Sequence, residues 1–460
     1  MQMSLNWKSK NVVVVGLGVS GIAACKLLAA RGAHVVGTDK KPRRALSDDV
    51  ALLESLGVTL ALGGHEDAGM LHADLVIVSP GVPSSELATA EARGVPIWGE
   101  VELAVRELNA WAQSAGRPAP RVVAIGGTNG KSTTTSLVGE LLAAHGLRTF
   151  CGGNLGEPLA SHASEAFDAV VLEVSSFQME RAETFHPHVS VLLNITPDHL
   201  DRYPSFDAYA NAKGNAFLRQ EPSDIAVVPF ADSMCEAQAK RGRAKVVSFG
   251  PGGDFDVTPS AVVDRASCAA PTFFERAKMH LQGGHNALNV AAALAAVSPF
   301  GVSPETIRTV LANFKGLAHR MSLVAEHAGV RYYDDSKGTN VGASVTAVRG
   351  VVEPKVVAIL GGRDKGGSYE PLVRALADKG RAAVVIGEAA DAIAHAVGNV
   401  VPVHRAGSMG EAVTLSAALA QPGDAVLLSP ACSSFDMFVD YKHRGDAFVA
   451  AVKDLERGSP

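Results

Sequence analysis

Val122-Val123-Ala124-Ile125-Gly126-Gly127-Thr128-Asn129-Gly130-Lys131-Ser132-Thr133 decides how the rest of this chain is read. The apolar start predicts a buried strand, the glycines predict a loop, and a helix is expected from Thr133 to His145. In such a setting glycines let backbone N–H groups turn onto phosphate oxygens, and the helix start adds positive potential. Lys131 can then reach terminal phosphates and the Ser132 hydroxyl can ligate Mg²⁺, which points to a nucleoside triphosphate. The common G-x-x-x-x-G-K-[ST] spacing would need glycine at position 125, where this chain has Ile125, so that motif fails by one residue. A glycine turn with a surface lysine is the bland alternative, and the strand–loop–helix context argues against it.

Working outward, Ser114 to Pro120 is small, polar and proline-rich, which marks a seam just before the strand. Upstream, Asn11 to Val15 reads as a parallel strand ending at Gly16, followed by a helix from Ile22 to Arg31. A similar run, Leu75 to Val78, stops at Ser79-Pro80-Gly81, where a ligand loop is expected at the strand's end. Downstream, a third α/β segment opens near Arg331, with strand-like runs at Val356 to Leu360, Ala383 to Ile386 and Ala425 to Leu428. The second seam is expected near Phe314 to Arg320. The chain thus reads as α/β in three domains, 1–115, 116–317 and 318–460, consistent with 460 residues exceeding one hydrophobic core.

A hydrophobic content of 47% gives ample surface to bury, and a net charge of -5 disfavours a nucleic acid as main partner. Cys25, Cys151, Cys235, Cys268 and Cys432 form no C-x-x-C pair, which suits a reducing compartment. Met1 to Lys10 lacks an apolar leader core, and no apolar run approaches the roughly 18 residues of a membrane span. A cytoplasmic protein with a small substrate is expected.

Individual residues carry chemistry with alternatives attached. Gly16-x-Gly18-x-x-Gly21 with Asp39 after the next strand fits a dinucleotide fingerprint, leaving NAD open. Glu173 ends the apolar run Val170-Val171-Leu172, so it should emerge at the sheet's carboxyl edge facing the phosphate loop, where a carboxylate suits Mg²⁺; a capping glutamate is the alternative. Lys213, in an expected helix from Ser205 to Leu218, reads from sequence alone as a surface lysine. Asn286 and Asn289 would share one helix face, able to read an adenine edge or to cap the helix.

Gly127 to Thr133 is similar to the ATP loop of the Mur ligase and folylpolyglutamate synthetase superfamily, whose loop is shorter than the common one. Gly153-Asn154-Leu155-Gly156, Glu173 to Gln178, Asn194 to Arg202, His285 to Asn289 and His319-Arg320 match in the family's order. Asp335-Ser336-Lys337-Gly338-Thr339-Asn340, Gly361 to Gly366 and Ser429 to Asp436 resemble the members that add D-glutamate. Tyr441 stands where those members are expected to carry phenylalanine, and Gly126 where threonine is frequent.

The resemblance implies a Rossmann-like UDP-binding domain, a central P-loop ATPase-like domain and a C-terminal Rossmann-like domain. It implies a monomeric cytoplasmic ligase joining D-glutamate to UDP-N-acetylmuramoyl-L-alanine through an acyl phosphate, in peptidoglycan precursor synthesis. ATP would be held by Gly127, Thr128, Asn129, Gly130, Lys131, Ser132, Thr133, Asn286, Asn289, Arg320 and Asp335. The UDP substrate would meet Val19, Ser20, Asp39, Ser79, Pro80 and Gly81, with Asn154, Ser175, Gln178 and His199 further along it. Two Mg²⁺ ions would sit among Ser132, Glu173, His199 and a carbamylated Lys213. Lys131, Glu173, His199, Lys213 and Lys337 would be catalytic, and Thr339, Lys365, Ser434 and Tyr441 would hold D-glutamate. A sister ligase taking another amino acid, an NAD-dependent oxidoreductase and a nonenzymatic nucleotide switch are the competing readings; the last two leave parts of these motifs unused.

Overall fold

The computed structural model describes residues 6–47, 49–200, 202–266, 270–281, 283–366 and 368–457; Asp201 and Cys268, named or spanned above, lie outside the described residues. Three sheets follow in chain order. The first holds β1 (Asn11–Val15), β2 (His34–Asp39), β3 (Thr59–Leu62), β4 (Leu75–Val78) and β5 (Ile97–Gly99), all parallel, in the order β3-β2-β1-β4-β5. Strand order reverses between β1 and β4, and a crevice opens beyond their carboxyl ends.

The second sheet has β6 (Arg121–Gly126), β7 (Thr149–Gly153), β8 (Ala169–Glu173), β9 (Val189–Leu192), β10 (Ile225–Pro229) and β11 (Lys245–Phe249) in parallel. An antiparallel meander extends it through β12 (Phe255–Val257), β13 (Ala261–Asp264) and β14 (Thr272–Glu275), giving the order β14-β13-β12-β11-β10-β9-β6-β8-β7. The third sheet contains β15 (Ser322–His327), β16 (Val330–Asp334), β17 (Val356–Gly361), β18 (Gly380–Ile386), β19 (Val403–Arg405) and β20 (Ala425–Ala431), ordered β15-β16-β20-β17-β18-β19. β15 is its antiparallel edge.

Several boundaries differ from expectation for local reasons. The helices after β1 and β6 are Val19–Ala30 and Lys131–Ala144, each starting before the expected Ile22 and Thr133. Gly18 and Gly130 are the N-caps, so each glycine loop passes directly into its helix. The expected helix 205–218 is instead an α-helix, Phe206–Gly214, followed by a tighter turn, Asn215–Phe217. At Gly214 the chain passes close under the ends of the Gln238 and Arg241 side chains.

The chain packs as two units. One comprises the residues up to Ile195, with Asp207–Met279 and Leu288–Asn313; the other comprises Thr196–Phe206, His280–Ala287 and the chain from Phe314 on. Within the first unit a single apolar cluster runs from Val12 and Leu28 through Leu103 and Leu108 of the helix Glu100–Ser114 to Val122, Ala124 and Leu172. The first two sheets therefore share a core. Polar side chains of the same helix fix that junction: Glu107 accepts from Trp7 Nε1 at 2.6 Å and from Arg31 Nε at 2.6 Å, and Glu102 accepts from the backbone N–H groups of Glu183 and Thr184.

Glu100 is 1% exposed and accepts the Ala160 N–H at 2.8 Å, while its Oε2 has no partner. Burial pushes its carboxyl from an ordinary 4.5 up to about 7, against the Ala160 bond. Its folded value is raised, so the neutral acid favours the fold fully below about pH 4.5 and that contribution fades as pH rises through 7. Glu100→Gln, uncharged and still able to accept from Ala160, is expected to melt about 2–5 °C above the parent at pH 8. At pH 4 the two proteins should melt together. Thermal melts at both values check this, and an offset that does not change with pH would contradict it.

Candidate functional site

The phosphate loop forms at the carboxyl end of β6. Gly127 and Gly130 have φ of +136° and +85°, a region that favours glycine. A Cβ at Gly130 would run into Asn289 Oδ1, and one at Gly127 would lie 3.0 Å from Leu193 Cβ. Asn194, just beyond β9, holds the loop: its backbone oxygen accepts from Thr128 N–H at 3.0 Å and its Oδ1 from Asn129 N–H at 2.9 Å. Its Nδ2 donates back to the Asn129 carbonyl at 3.0 Å. The Lys131 ammonium folds over the loop and donates to the Thr128 carbonyl at 2.8 Å. Since Gly130 has no side chain to cap the helix, the amide dipoles at its start face the loop and suit an anion.

Glu173 is the last residue of β8, in register with Ile125, and is 2% exposed. Its Oε2 accepts the Ser132 hydroxyl at 2.5 Å and its Oε1 accepts Asn154 Nδ2 at 2.6 Å. The carboxylate thus emerges at the sheet edge beside the loop. Lys213 is 6% exposed rather than on the surface, because its ammonium donates to the Gly127 carbonyl at 2.7 Å and lies 4.6 Å from the Tyr209 ring centre. Tyr209 in turn shares a hydrogen bond of 3.1 Å with Thr128 Oγ1. The first unit therefore joins Ser132 with Glu173 and sets Lys213 under the loop.

The expected metal set is only partly assembled within one unit, since His199 belongs to the other. Among the described residues no group of three or more His, Cys, Asp or Glu side chains could hold a metal. What is present is a hydroxyl and a carboxylate, hard oxygen donors that fit Mg²⁺, an ion usually bound by one or two carboxylates with substrate phosphates filling its shell.

At the reversal of the first sheet lies a cleft of about 430 Å³ whose lining includes all six expected residues, Val19, Ser20, Asp39, Ser79, Pro80 and Gly81. Asp39 accepts from Leu17 N–H at 2.8 Å and from Lys41 N–H at 2.9 Å, so its carboxylate shapes the loop after β1 as well as the cleft. Ser79 ties the two loops by donating to the Gly16 carbonyl at 2.7 Å. Gly21 lies so near Gly16 that a Cβ would strike its carbonyl oxygen. Lys40, Lys41 and His65 also line this cleft and went unnoticed in the sequence, where they belong to no motif. Ser175 and Gln178 close a capping box on the short helix Ser176–Met179, which commits both side chains to that helix start.

The second unit gathers the remaining candidates. Asp335 is buried and accepts the Ser429 hydroxyl at 2.7 Å; burial pushes its carboxyl up to about 7, opposed by that bond and by Arg320. The Lys337 ammonium sits 3.8 Å from the centre of the Tyr441 ring, and Thr339 N–H donates to the Lys337 carbonyl at 2.8 Å. Ser434 is buried at a turn, its carbonyl accepting from Met437 and Phe438 N–H groups. Asp198 pairs with Lys365 at 3.5 Å and accepts Asn340 Nδ2 at 3.2 Å, while His199 beside it has φ of +56°. Asn286 and Asn289 both lie on the helix Gly284–Val297, but Asn286 falls in the second unit and Asn289 in the first. Asn194 and Tyr209 brace the phosphate loop in the first unit, and Asp198 pairs with Lys365 in the second; Tyr209, four residues before Lys213 on one helix, was the readable signal.

Similarity to known proteins follows the same layout. Residues 10–99 match the profile of the Mur ligase MurD-like N-terminal domain, 125–297 that of the Mur ligase middle domain, and 319–432 that of the Mur ligase glutamate ligase domain. A protein of Desulfosudis oleivorans named UDP-N-acetylmuramoylalanine--D-glutamate ligase is 43% identical over 462 residues, 98% of each chain. One of the same name from Anaeromyxobacter dehalogenans is 43% identical over 98% of this chain and 99% of its own. The Thermotoga maritima MurF ligase in complex with ADP shares the fold at a TM-score of 0.62 and 18% identity, over 93% of this chain and 96% of that one.

Proposed function

The chain belongs to the Mur ligase family, and from that premise we propose that it adds D-glutamate to UDP-N-acetylmuramoyl-L-alanine at the expense of ATP, in peptidoglycan precursor synthesis. The observation that carries this reading is identity of 43% over 98% of the chain with proteins named for that reaction. The loop, the Ser132–Glu173 pair and the cleft of the first sheet supply a physical basis for it. Residues 1–115 take the UDP moiety, 116–317 hold ATP, and 318–460 bring the amino acid.

The L-alanyl carboxylate attacks the γ-phosphorus of ATP in line, breaking its bond to the β,γ-bridging oxygen and giving an acyl phosphate and ADP. The amine of D-glutamate, having lost its proton, attacks the activated carbonyl; the tetrahedral intermediate expels phosphate and leaves the amide. Lys131 and the loop N–H groups hold the phosphates against the helix start, so developing charge meets a fixed positive field. Ser132 and Glu173 would hold Mg²⁺, which supplies charge neutralisation at the phosphates. His199 and a carbamylated Lys213 would hold a second ion, and the carbamate's remaining N–H could still donate to the Gly127 carbonyl. Asn286, Asn289, Arg320 and Asp335 take the nucleotide, and Asn154, Ser175, Gln178 and His199 the muramoyl-alanyl part of the acceptor. Lys337 steadies the transferred phosphoryl group. Thr339, Lys365, Ser434 and Tyr441 form the D-glutamate site, where the Lys365 ammonium and the Thr339 and Ser434 hydroxyls can meet two carboxylates and the Tyr441 ring lines the site.

The enzyme is assigned to the cytoplasm as a monomer; no described helix is long and apolar enough to cross a membrane. With ¹⁸O in the L-alanyl carboxylate, one labelled oxygen should appear in each released phosphate. Unlabelled phosphate would remove the acyl phosphate from this account.

A further inference from the structure

The first turn of the helix Tyr441–Arg457 meets Ser336 and Lys337 at several points. The Tyr441 carbonyl accepts the Ser336 hydroxyl at 2.8 Å. Arg444, one turn on and fully buried, donates Nε to Ser336 Oγ at 3.0 Å, Nη2 to the Ser336 carbonyl at 2.8 Å and Nη1 to the Cys432 carbonyl at 3.1 Å. A guanidinium used in this way is a rigid fork, so Ser336 cannot shift without breaking charge-assisted bonds. On this fixed base the Lys337 ammonium lies 3.8 Å from the Tyr441 ring centre. His319, bonded to Asp334 at 2.6 Å, lies edge-on to that ring at 81° with the centroids 6.3 Å apart.

We infer that Tyr441 is a positioning residue for Lys337, its ring face holding the ammonium ready for the transferred phosphoryl group while its hydroxyl takes no part. The inference rests on the function proposed above and deepens it. A lysine stem is flexible and loses rotamer freedom when fixed. An aromatic face offsets part of that loss before substrates arrive, and it attracts a cation without offering the hydrogen bond acceptor that would neutralise it.

Two measurements test this. In steady-state assays Tyr441→Leu should lower kcat about tenfold, and Tyr441→Phe, which restores the ring face without the hydroxyl, should recover most of that loss. Separately, the protein is reductively ¹³C-methylated and the Lys337 resonance assigned by its absence in Lys337→Arg. Ring current should place that resonance upfield in the parent and in Tyr441→Phe, and at the ordinary lysine position in Tyr441→Leu. The inference is overturned by an unshifted parent resonance, by unchanged kcat in Tyr441→Leu, by a raised KM alone, or by Tyr441→Phe failing as badly as the leucine variant. If the parent protein does not turn over D-glutamate, the proposed function falls, while the resonance still decides whether the ring holds the ammonium.

Discussion

Lys131→Ala is expected to lower kcat by about 10³-fold, the scale on which a single charge-stabilising group at phosphoryl transfer acts. The ammonium lies over the loop, 2.8 Å from the Thr128 carbonyl, and makes the first turn of the helix cationic as well as dipolar. Removing it takes away one of the positive charges that offset the repulsion between the incoming carboxylate and a polyanionic nucleotide. Lys131→Arg should recover little, because a planar fork cannot fold back onto that carbonyl as a compact ammonium does. Steady-state turnover, with circular dichroism to confirm folding, checks both variants; losses below tenfold would show that the loop works without its lysine.

Glu173→Gln should lose about 10²- to 10³-fold in kcat and need more Mg²⁺ for half-maximal rate. One carboxylate oxygen accepts from Ser132 and the other from Asn154, so two donors converge on a group that only accepts. A glutamine can satisfy one of them but must turn its own NH₂ on the other, and it presents no charge to a cation. Titrating activity against Mg²⁺ separates the effects: a metal role raises the midpoint, whereas simple loss of loop support lowers the rate at every concentration. Parent-like Mg²⁺ dependence and rate would place the metal elsewhere.

The phosphate loop was legible because its signal is local: a β-branched run, glycines and a lysine lie within one strand–loop–helix and need no distant partner to be understood. The crevice of the first sheet was legible locally from its glycine fingerprint, which left the ligand open, and the six residues that the family resemblance supplied all line it. Lys213 was not. Its burial depends on a carbonyl 86 positions away, which nothing near it in the sequence records, and only Tyr209 one turn earlier hints at the ring it covers. Arg444 was missed because arginine is ordinarily a surface residue, and only the folded chain brings Ser336 and Cys432 to its fork. The meander after β11 escaped notice since its strands are three or four residues long, too short for alternation to register. The shared core beneath the first two sheets was equally hidden: a proline-rich stretch signals a seam along the chain but says nothing of what packs across it.

The most direct test is phosphate release from Mg·ATP with UDP-N-acetylmuramoyl-L-alanine, omitting D-glutamate or replacing it in turn with L-glutamate, L-alanine and meso-diaminopimelate. The account predicts release that requires both the UDP-sugar acid and D-glutamate. Release supported best by another amino acid, or none with any pair, would contradict it.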